Sequence, residues 1–285
     1  MFTSLNEAIA RHVRDGQSVA LEGFTHLIPF AAGQEIIRQG IKDLHLIRMT
    51  PDLIYDQMIG MGCARALTFS WGGNPGVGSL HRLRDAVENR WPGPIEIHEH
   101  SHAEMAVAYS AGAAALPCGL MKGAPVTDLA GHSADRVRAL DCPFSGEALT
   151  AVAAVKPDVT ILHAQQADAA GNVQIRGILG ATVEAAMAAR TVLVTVEERV
   201  DALAAGMNAN LNAVVLPHWL ISAIAVVPGG AYPSYAQGYY PRDNAFYLTW
   251  DAVARDRERF RAWMQAHVLD CADHAATLRR LEVAA

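Results

Sequence analysis

The 285 residues are 51% hydrophobic and 18% charged, a balance that predicts a folded body with a sizeable core and excludes a disordered chain. A formal net charge of −6 without any basic run excludes a typical nucleic-acid-binding protein. The longest apolar runs, such as 220–227, are too short to span a bilayer, and no apolar leader precedes the first helix. We therefore expect no membrane partner and a cytoplasmic location. The four cysteines are scattered without CxxC spacing, which fits free thiols and argues against a zinc site.

The first part of the chain alternates between helices and strands. A capping box from Ser4 to Glu7 begins the first helix, which ends near Gly16. The elements predicted after it are strand 18–24, helix 31–40, strand 43–49, a helix after Pro51, strand 66–70, helix 79–90, strand 95–100 and helix 104–116. This alternation is typical of a parallel sheet covered by helices on both faces.

The second part of the chain is less uniform. Residues 119–150 lack a clear period, and we expect them to form an excursion from the sheet. The pattern resumes with strands at 159–163, 173–175, 192–196 and 213–216, a helix at 181–189, and a helical region from about 251. No internal repeat or linker interrupts the chain. The sequence therefore predicts an α/β fold, a mostly parallel sheet flanked by helices, as one domain over 1–285.

The loop after the first strand is the first candidate site. It reads Glu22-Gly23-Phe24-Thr25-His26 and lies where a strand gives way to a helix. In a parallel sheet this carboxyl edge is where ligands bind, and a glycine there lets the backbone approach a ligand and direct an N–H toward it. An ordinary strand-to-helix turn would explain the same residues without a ligand.

The glycine-rich segment 72–79 is the second candidate, because it joins a strand to a helix whose first amides point toward an anion. Neither a Walker A lysine nor a G-x-G-x-x-G pattern is present. A cradle for a substrate carboxylate or for CoA is one interpretation, with Arg82 and Arg84 as cations, and a tight turn before an exposed helix face is the other. The candidate substrate-binding residues of the segment are Gly73, Asn74, Gly76 and Gly78.

The histidine-rich segment 96–104 is the third candidate. On a strand, Glu96, His98, His100 and His102 would share one face, and alternating histidines can bind zinc. Because the segment should turn into a helix near Ser101, we expect no metal site. We expect His100 or His102 to face substrate at the strand's carboxyl end, with Ser101 as a substrate contact. Polar residues that line a loop or an interface with another chain are the alternative.

Glu104 in the same segment has two interpretations. A buried glutamate here would have a raised pKa and would work as a general base. A first-turn helix residue favoured by the helix dipole is the alternative. The candidate catalytic residues of this chain are Glu104 and His102.

The segment 163–172 is the fourth candidate. Gln165 and Gln166 follow an apolar strand, and Gly171-Asn172 predicts a tight turn. We count Gln165 among the candidate substrate-binding residues.

Several segments together resemble the first subunits of family I coenzyme A transferases. The N-terminal signature of that family is Asp-Gly, two variable residues, three apolar residues and Gly-Gly-Phe. Residues 15–24 are similar, except that Glu22 replaces the first glycine, and Ile28 stands where a later glycine is usual. The other matching segments are 49–53, 70–79, 142–146, 163–168 with Gly171-Asn172, and 227–231. They are most similar to A subunits of the 3-oxoadipate type and more distantly to those of the glutaconate type.

The resemblance implies a CoA-transferase fold and a heteromeric enzyme, expected as A2B2, that moves CoA from succinyl-CoA to a 3-oxoadipate-like dicarboxylic acid in aromatic-compound catabolism. In that family a glutamate of the B subunit, within a Ser-Glu-Asn-Gly-like motif, forms a thioester with CoA, and no such motif occurs here. This chain is expected to supply CoA-side and oxyanion contacts and to act only with its partner. CoA thioesters are expected as substrates, without a permanently bound cofactor. The residues placed in the CoA-side role are Glu22, Gly23, Phe24, Thr25 and His26.

Two alternatives remain open. The same fold supports CoA-thioester hydrolases, ring-opening enzymes and decarboxylases, in which Glu104 or a histidine would do the chemistry and the partner would lack the glutamate. In the other alternative the chain is a non-catalytic CoA-binding or scaffold subunit, because Glu22 and Ile28 alter the glycine pattern of the loop.

Overall fold

The computed structural model describes residues 1–123, 135–203 and 213–283. The helices and strands of its first half occur in the predicted order, with boundaries moved by a few residues. They are α1 (Leu5–His12), β1 (Ser18–Glu22), α2 (Phe30–Arg38), β2 (Leu44–Ile47), α3 (Leu53–Gly60), β3 (Ala64–Phe69), α4 (His81–Asn89), β4 (Glu96–Glu99) and α5 (His102–Ala113). The capping box predicted from Ser4 to Glu7 is present at the start of α1.

The second half departs from the prediction in two places. Its helical C-terminal region begins at Asn244 and is interrupted at Asp256, because the extended backbone and the side chain of Asp256 cap a new helix. The apolar run near 223 is a strand that the sequence pattern does not assign. The elements are β5 (Cys118–Lys122), β6 (Val137–Asp141), β7 (Ala148–Ala153), β8 (Val159–Asp168), β9 (Val173–Arg176), α6 (Thr182–Ala188), β10 (Thr191–Val200), β11 (Ala213–Leu216), β12 (Ala223–Val226), α7 (Asn244–Arg255), α8 (Arg257–Met264) and α9 (His274–Arg280).

The central sheet places β1 between β2 and β8, and the three strands run parallel. Beyond β2 it continues in parallel through β3 to β4, and beyond β8 in parallel through β10 to β12. The carboxyl ends of these strands therefore meet at one edge, where the loops that follow them are neighbours.

Strand β8 pairs with two different strands along one side. Its first half pairs with β1, up to Glu22 opposite Leu162. Its second half pairs with the antiparallel β9, from Gln166 opposite Gln174, and β11 extends β9. β10 covers the other side of β8 over its whole length. Strand β1 thus ends inside the sheet, and the loop after Glu22 emerges between neighbouring strands.

The two faces of the sheet bury different cores. Val19 and Leu21 of β1 pack with residues of α1 to α3 and of the C-terminal helices. Ala20 packs on the opposite face with residues of α5, including Tyr109. Because side chains alternate along a strand, Glu22 follows Ala20 onto the α5 face. This alternation explains why the Glu22 carboxyl faces α5 and not the helices on the other face of the sheet.

The segment predicted as an excursion contains β5, β7 and β6, which form a separate three-stranded antiparallel sheet. Val137 and Val152 pack it against the α5 core. Residues 124–134 of the predicted excursion lie outside the described ranges. Within those ranges, no helix is long and apolar enough to cross a membrane.

Candidate active site

A cavity of about 260 Å³ opens beside the loops that follow β1, β2 and β3. The start of α5 and the segment that leads into α7 complete its wall. Its position at the carboxyl ends of parallel strands is the one expected for a ligand site. The lining residues are Phe24, Thr25, Ile28, Arg48, Thr50, Asp52, Trp71, Pro75, His102, Arg242 and Tyr247.

The loop after β1 has a backbone that only glycine permits at its first position. A β-carbon on Gly23 would lie 2.6 Å from the carbonyl oxygen of Leu27, which is too close for any side chain. Thr25 and Leu27 have φ angles of 62° and 52°, in the left-handed region that non-glycine residues rarely adopt. The loop is therefore tightly folded and strained, and it brings Phe24 and Thr25 to the cavity.

Glu22 lies one layer below this loop and is only 3% exposed. Its Oε1 atom accepts hydrogen bonds from the Tyr109 hydroxyl at 2.6 Å and from the Met49 amide at 3.2 Å. Burial raises the pKa of the Glu22 carboxyl, and the nearby Arg48 opposes that rise. Glu22 is predicted to be a CoA-side residue, whereas the structure places it outside the cavity lining, as a support for the loop.

A buried ion pair joins the loops after β1 and β2. The Nη1 atom of Arg48 lies 3.2 Å from Oδ1 of Asp52, and Nη2 donates a hydrogen bond to the Gly23 carbonyl at 2.7 Å. The guanidinium carbon lies 5.7 Å from the centre of the Tyr55 ring. Burial raises the pKa of Asp52, and Arg48 opposes that rise. Arg48 thus fixes the carbonyl of Gly23 relative to the start of α3.

A second arginine reaches the cavity from the C-terminal part of the chain. The guanidinium carbon of Arg242 lies 3.9 Å from the centre of the Tyr247 ring, and its Nη2 atom donates to the Pro75 carbonyl. The Asn74 side chain donates to the Tyr247 carbonyl at 2.8 Å. These contacts fasten the glycine-rich segment to the start of α7, so that both form one wall of the cavity.

The glycine-rich segment itself reaches the cavity through Pro75. Its turn is closed by the Asn74 amide, which donates to the Gly78 carbonyl at 2.8 Å, and Gly76 has a φ angle of 80°. These residues set the path of the segment without entering the cavity wall. The four predicted substrate-binding residues outside the lining are Gly73, Asn74, Gly76 and Gly78.

The two predicted catalytic residues, His102 and Glu104, both lie in the first turn of α5 but have different surroundings. His102 is the first residue of the helix and lines the cavity. The Ser101 hydroxyl accepts from the Glu104 amide at 3.2 Å, and the Glu104 carboxylate accepts from the Ser101 amide at 2.7 Å, which is a second capping box. Glu104 also lies 3.6 Å from His100. The structure therefore brings His102 to the cavity and gives Glu104 a hydrogen-bonding role at the helix start.

His26 and Gln165 both lie outside the cavity lining. The buried His26 ring stacks on Tyr235 with ring centres 4.9 Å apart, and its Nε2 atom is 2.7 Å from the Ile178 carbonyl oxygen. The buried Gln165 side chain donates to the Arg176 carbonyl and accepts from the Arg176 amide, each at 3.0 Å. Gln165 thus bonds to the backbone of β9, a few residues after the last pair between β8 and β1.

The predicted histidine face is only partly present. His98 lies 3.0 Å from Arg136, and its ring centre is 5.4 Å from that of His45. His102 is not on this face because the helix has begun there. Within the described ranges, no group of histidine, cysteine and acidic side chains is arranged to hold a metal ion.

A second buried network connects the sheet to the segment 229–240, which precedes Arg242 in the chain. His163 lies 2.6 Å from Glu197, whose carboxylate also accepts from the Gly229 amide and from the Tyr240 hydroxyl. Burial favours the neutral carboxyl, but these hydrogen bonds, that of His163 first, lower the pKa of Glu197 overall. The network holds both ends of segment 229–240 on β10.

Both arginines of the cavity are absent from the sequence prediction. The predicted cations are Arg82 and Arg84, but Arg82 pairs with Asp85 at 3.1 Å, Arg84 lies on an exposed helix face, and neither lines the cavity. Arg48 lies near the carboxyl end of the predicted strand 43–49, directly after the observed strand β2, and that position is a signal that would have found it. Arg242 has no local signal, because its acceptor Pro75 is 167 residues away in sequence.

Known proteins similar to this chain agree with the fold. The Coenzyme A transferase family matches residues 2–226. The A subunit of 3-oxoadipate CoA-transferase from Pseudomonas knackmussii is 60% identical over 265 residues, which cover 93% of this chain and 92% of that protein. The A subunit of glutaconate CoA-transferase from Acidaminococcus fermentans is 33% identical over 295 residues, which cover 98% and 91%.

Two solved structures extend the likeness to three dimensions. Glutaconate coenzyme A-transferase from Acidaminococcus fermentans has a TM-score of 0.87 at 29% identity, over 98% of this chain and 92% of that chain. A variant of the decarboxylase AibA/AibB has a TM-score of 0.77 at 29% identity, over 93% and 98%. The predicted architecture and the family resemblance are thereby confirmed. The chain belongs to the coenzyme A transferase family.

Proposed function

We propose that this chain is the A subunit of a CoA-transferase that moves CoA from succinyl-CoA to a dicarboxylic acid of the 3-oxoadipate type. The observation that carries the proposal is the cavity under the Gly23 loop, which combines a small space with two arginines at the sheet edge. Identity of 60% over 93% of the chain to the A subunit of a 3-oxoadipate CoA-transferase supports the choice of acceptor. The same likeness supports a role in the breakdown of aromatic compounds.

A partner chain is proposed to bring the nucleophile. Asp52 is the one carboxylate among the cavity-lining residues, and the Arg48 guanidinium already pairs with it. We propose that the attacking carboxylate comes from a second chain, the B subunit, in an A2B2 assembly. This division of roles is supported by the relative from Pseudomonas knackmussii, which is named as the A subunit of its enzyme.

The reaction proceeds by two exchanges at the partner's glutamate. Its carboxylate attacks the thioester carbonyl of succinyl-CoA and releases the CoA thiolate, which leaves a mixed anhydride. The thiolate attacks the glutamyl carbonyl of that anhydride, which releases succinate and leaves an enzyme–CoA thioester. The acceptor acid reverses these steps and departs as its CoA thioester.

The loop of this chain is proposed to stabilise the oxyanion formed at each attack. Gly23 permits the close fold of the loop, and Phe24 and Thr25 line the cavity. Backbone amides fixed in advance stabilise developing negative charge more than mobile solvent does, because they need no reorganisation. Arg48 keeps this loop in place by its bond to the Gly23 carbonyl.

The test uses this chain and its partner produced together and given succinyl-CoA without any acceptor. We expect a CoA adduct on a glutamate of the partner, seen by mass spectrometry of the intact chains, and its loss when 3-oxoadipate is added. Release of free CoA without any adduct would contradict the transferase mechanism.

A decarboxylase or thioester hydrolase is the second candidate. His102 at the cavity wall and the likeness to the decarboxylase AibA/AibB favour it. It predicts release of CO₂ or free CoA that depends on His102 and a partner that lacks the glutamate. CoA binding without any turnover would instead support a non-catalytic role.

We also propose a single-domain chain that works in the cytoplasm. Contacts between the C-terminal helices and α2 to α4 support the single domain. Four free thiols support a reducing compartment.

A further inference from the structure

The two arginines of the cavity differ in how much of their hydrogen-bonding capacity the protein already uses. Arg48 is 1% exposed, and its two terminal nitrogens donate to Asp52 and to the Gly23 carbonyl. Its Nε atom is enclosed and has no acceptor among the described residues. A ligand therefore cannot reach the Arg48 guanidinium without breaking the fold of the loop.

Arg242 is held in place but retains free donors. Among the described residues, its guanidinium has one acceptor, the Pro75 carbonyl, which bonds to Nη2. Stacking on the Tyr247 ring fixes the plane of the guanidinium, and a fixed planar fork suits a carboxylate. Nη1 has no acceptor among the described residues, the enclosed Nε also has none there, and the residue lines the cavity.

The rest of the wall suits a short carbon chain. Phe24, Ile28 and Trp71 supply apolar surface next to the arginine. A volume of about 260 Å³ lies below the roughly 300–1,000 Å³ of pockets for drug-sized ligands, so it suits a small acid. Charge favours an anion, because Arg48 and Arg242 face a single carboxylate, Asp52.

We infer that Arg242 is the specificity-determining residue that binds the remote carboxylate of the acyl group, the one that does not exchange CoA. This inference rests on the proposed CoA-transferase function and names the group that selects dicarboxylic over monocarboxylic acids. The reacting carboxylate then lies toward the Gly23 loop, and the methylene carbons lie against Phe24 and Trp71.

The test is an internal competition between two acceptors in one reaction. The reconstituted heteromeric enzyme receives succinyl-CoA with equal amounts of 3-oxoadipate and 3-oxohexanoate, which differ only in the remote carboxylate. The ratio of the two CoA products reports the ratio of kcat/KM values and is independent of how the donor binds. Arg242→Met removes the charge, Arg242→Lys keeps it without the planar fork, and Arg255→Met is a matched control on the exposed face of α7, where Arg255 pairs with Asp251.

We expect Arg242→Met to lower the preference for the dicarboxylic acid roughly 10- to 100-fold, the range of a charged hydrogen-bonded pair. Arg242→Lys should recover part of the preference, and Arg255→Met should leave it unchanged. An active Arg242→Met enzyme with an unchanged product ratio would overturn the inference and leave the proposed function intact. The inference would also be overturned if Arg242→Met and Arg242→Lys both lowered CoA transfer to the two acids by the same factor. Arg242 would then act only by holding the Pro75 segment in place. Transfer to neither acid by the unmodified enzyme would overturn the proposed function and this inference with it.

Discussion

The Nη2 atom of Arg48 donates a hydrogen bond of 2.7 Å to the carbonyl oxygen of Gly23. This contact joins a buried cation to the residue at which the chain leaves β1. A charge enclosed in this way is stable only while its partners remain, so the loop and the ion pair depend on each other.

The first prediction concerns that ion pair. Replacing Arg48 by Met leaves Asp52 buried without its cation, and we expect the free energy of unfolding to fall by about 3–5 kcal/mol. Urea denaturation of the heteromeric complex measures the change. The double variant Arg48→Met with Asp52→Leu should be more stable than Arg48→Met alone, because no unpaired charge remains. A double variant that is less stable than both single variants would contradict this explanation.

The second prediction concerns the first residue of the loop. In Gly23→Ala the new methyl group would lie 2.6 Å from the Leu27 carbonyl oxygen, so the loop must move away from its strained form. We expect kcat/KM for CoA transfer to fall roughly 100-fold, as when an oxyanion donor is displaced, with the circular dichroism of the complex unchanged. Gly93→Ala is the matched control, because nothing lies within 4 Å of a β-carbon there. Equal activity of the two variants would show that the fold of the loop does not matter.

The third prediction concerns the carboxyl beneath the loop. Tyr109→Phe removes the 2.6 Å hydrogen bond to buried Glu22 and leaves the acceptor short of a donor. We expect a loss of about 1–3 kcal/mol in the free energy of unfolding. The control is Tyr235→Phe, which should cost less than about 0.5 kcal/mol, because the one hydrogen-bond contact of the Tyr235 hydroxyl within the described ranges is an exposed one of 3.5 Å with Thr25. Similar losses in both variants would remove Glu22 as the cause.

The fourth prediction concerns acid stability. Burial first, then the charges of His98 and Arg136, lower the pKa of His45 to about 4 from an ordinary 6.5. Burial also lowers the pKa of His274 to about 4, against a hydrogen bond to the Gly229 carbonyl. In both cases the unfolded chain binds more protons than the folded chain between pH 6.5 and 4. The contribution of these two rings to stability therefore falls as the pH falls through this window and stops changing below about 4.

At about 1.4 kcal/mol per pKa unit, each ring contributes up to roughly 3 kcal/mol across that window. Urea midpoints of the complex at pH 7 and pH 5 measure the effect, and His274→Gln should flatten the profile. A His274→Gln profile as steep as that of the unmodified chain would exclude His274 as a source.

The local patterns of the chain predict the first strands and their loops well. The apolar run that ends at Glu22 and the glycine after it are adjacent in sequence, so the strand, its end and the site loop follow from neighbouring residues. The separate sheet of β5, β6 and β7 is harder to predict because most side chains of β5 and β6 are exposed or half-buried, and such a strand has no alternating buried side to reveal it.

The candidate site is only half predictable for a related reason. Phe24, Thr25 and His102 follow strand ends or begin a helix, and those positions are visible in the sequence. The role of Glu104 as a cap partner depends on the rotamers of Ser101 and Glu104, so the sequence alone leaves both a base and a helix-start residue open. Arg242 enters the cavity through tertiary contacts alone.

The origin of Arg242 has a consequence for how such enzymes diverge. The family match ends at residue 226, where the last described strand of the sheet also ends, yet part of the cavity wall comes from beyond it. The loop proposed to stabilise the oxyanion and the arginine proposed to select the acid are therefore carried by separate stretches of the chain. Substitutions in the stretch after 226 can retune the choice of acid while the strands that orient the loop stay untouched. Relatives with the same sheet but different sequence in this stretch are expected to use different acids.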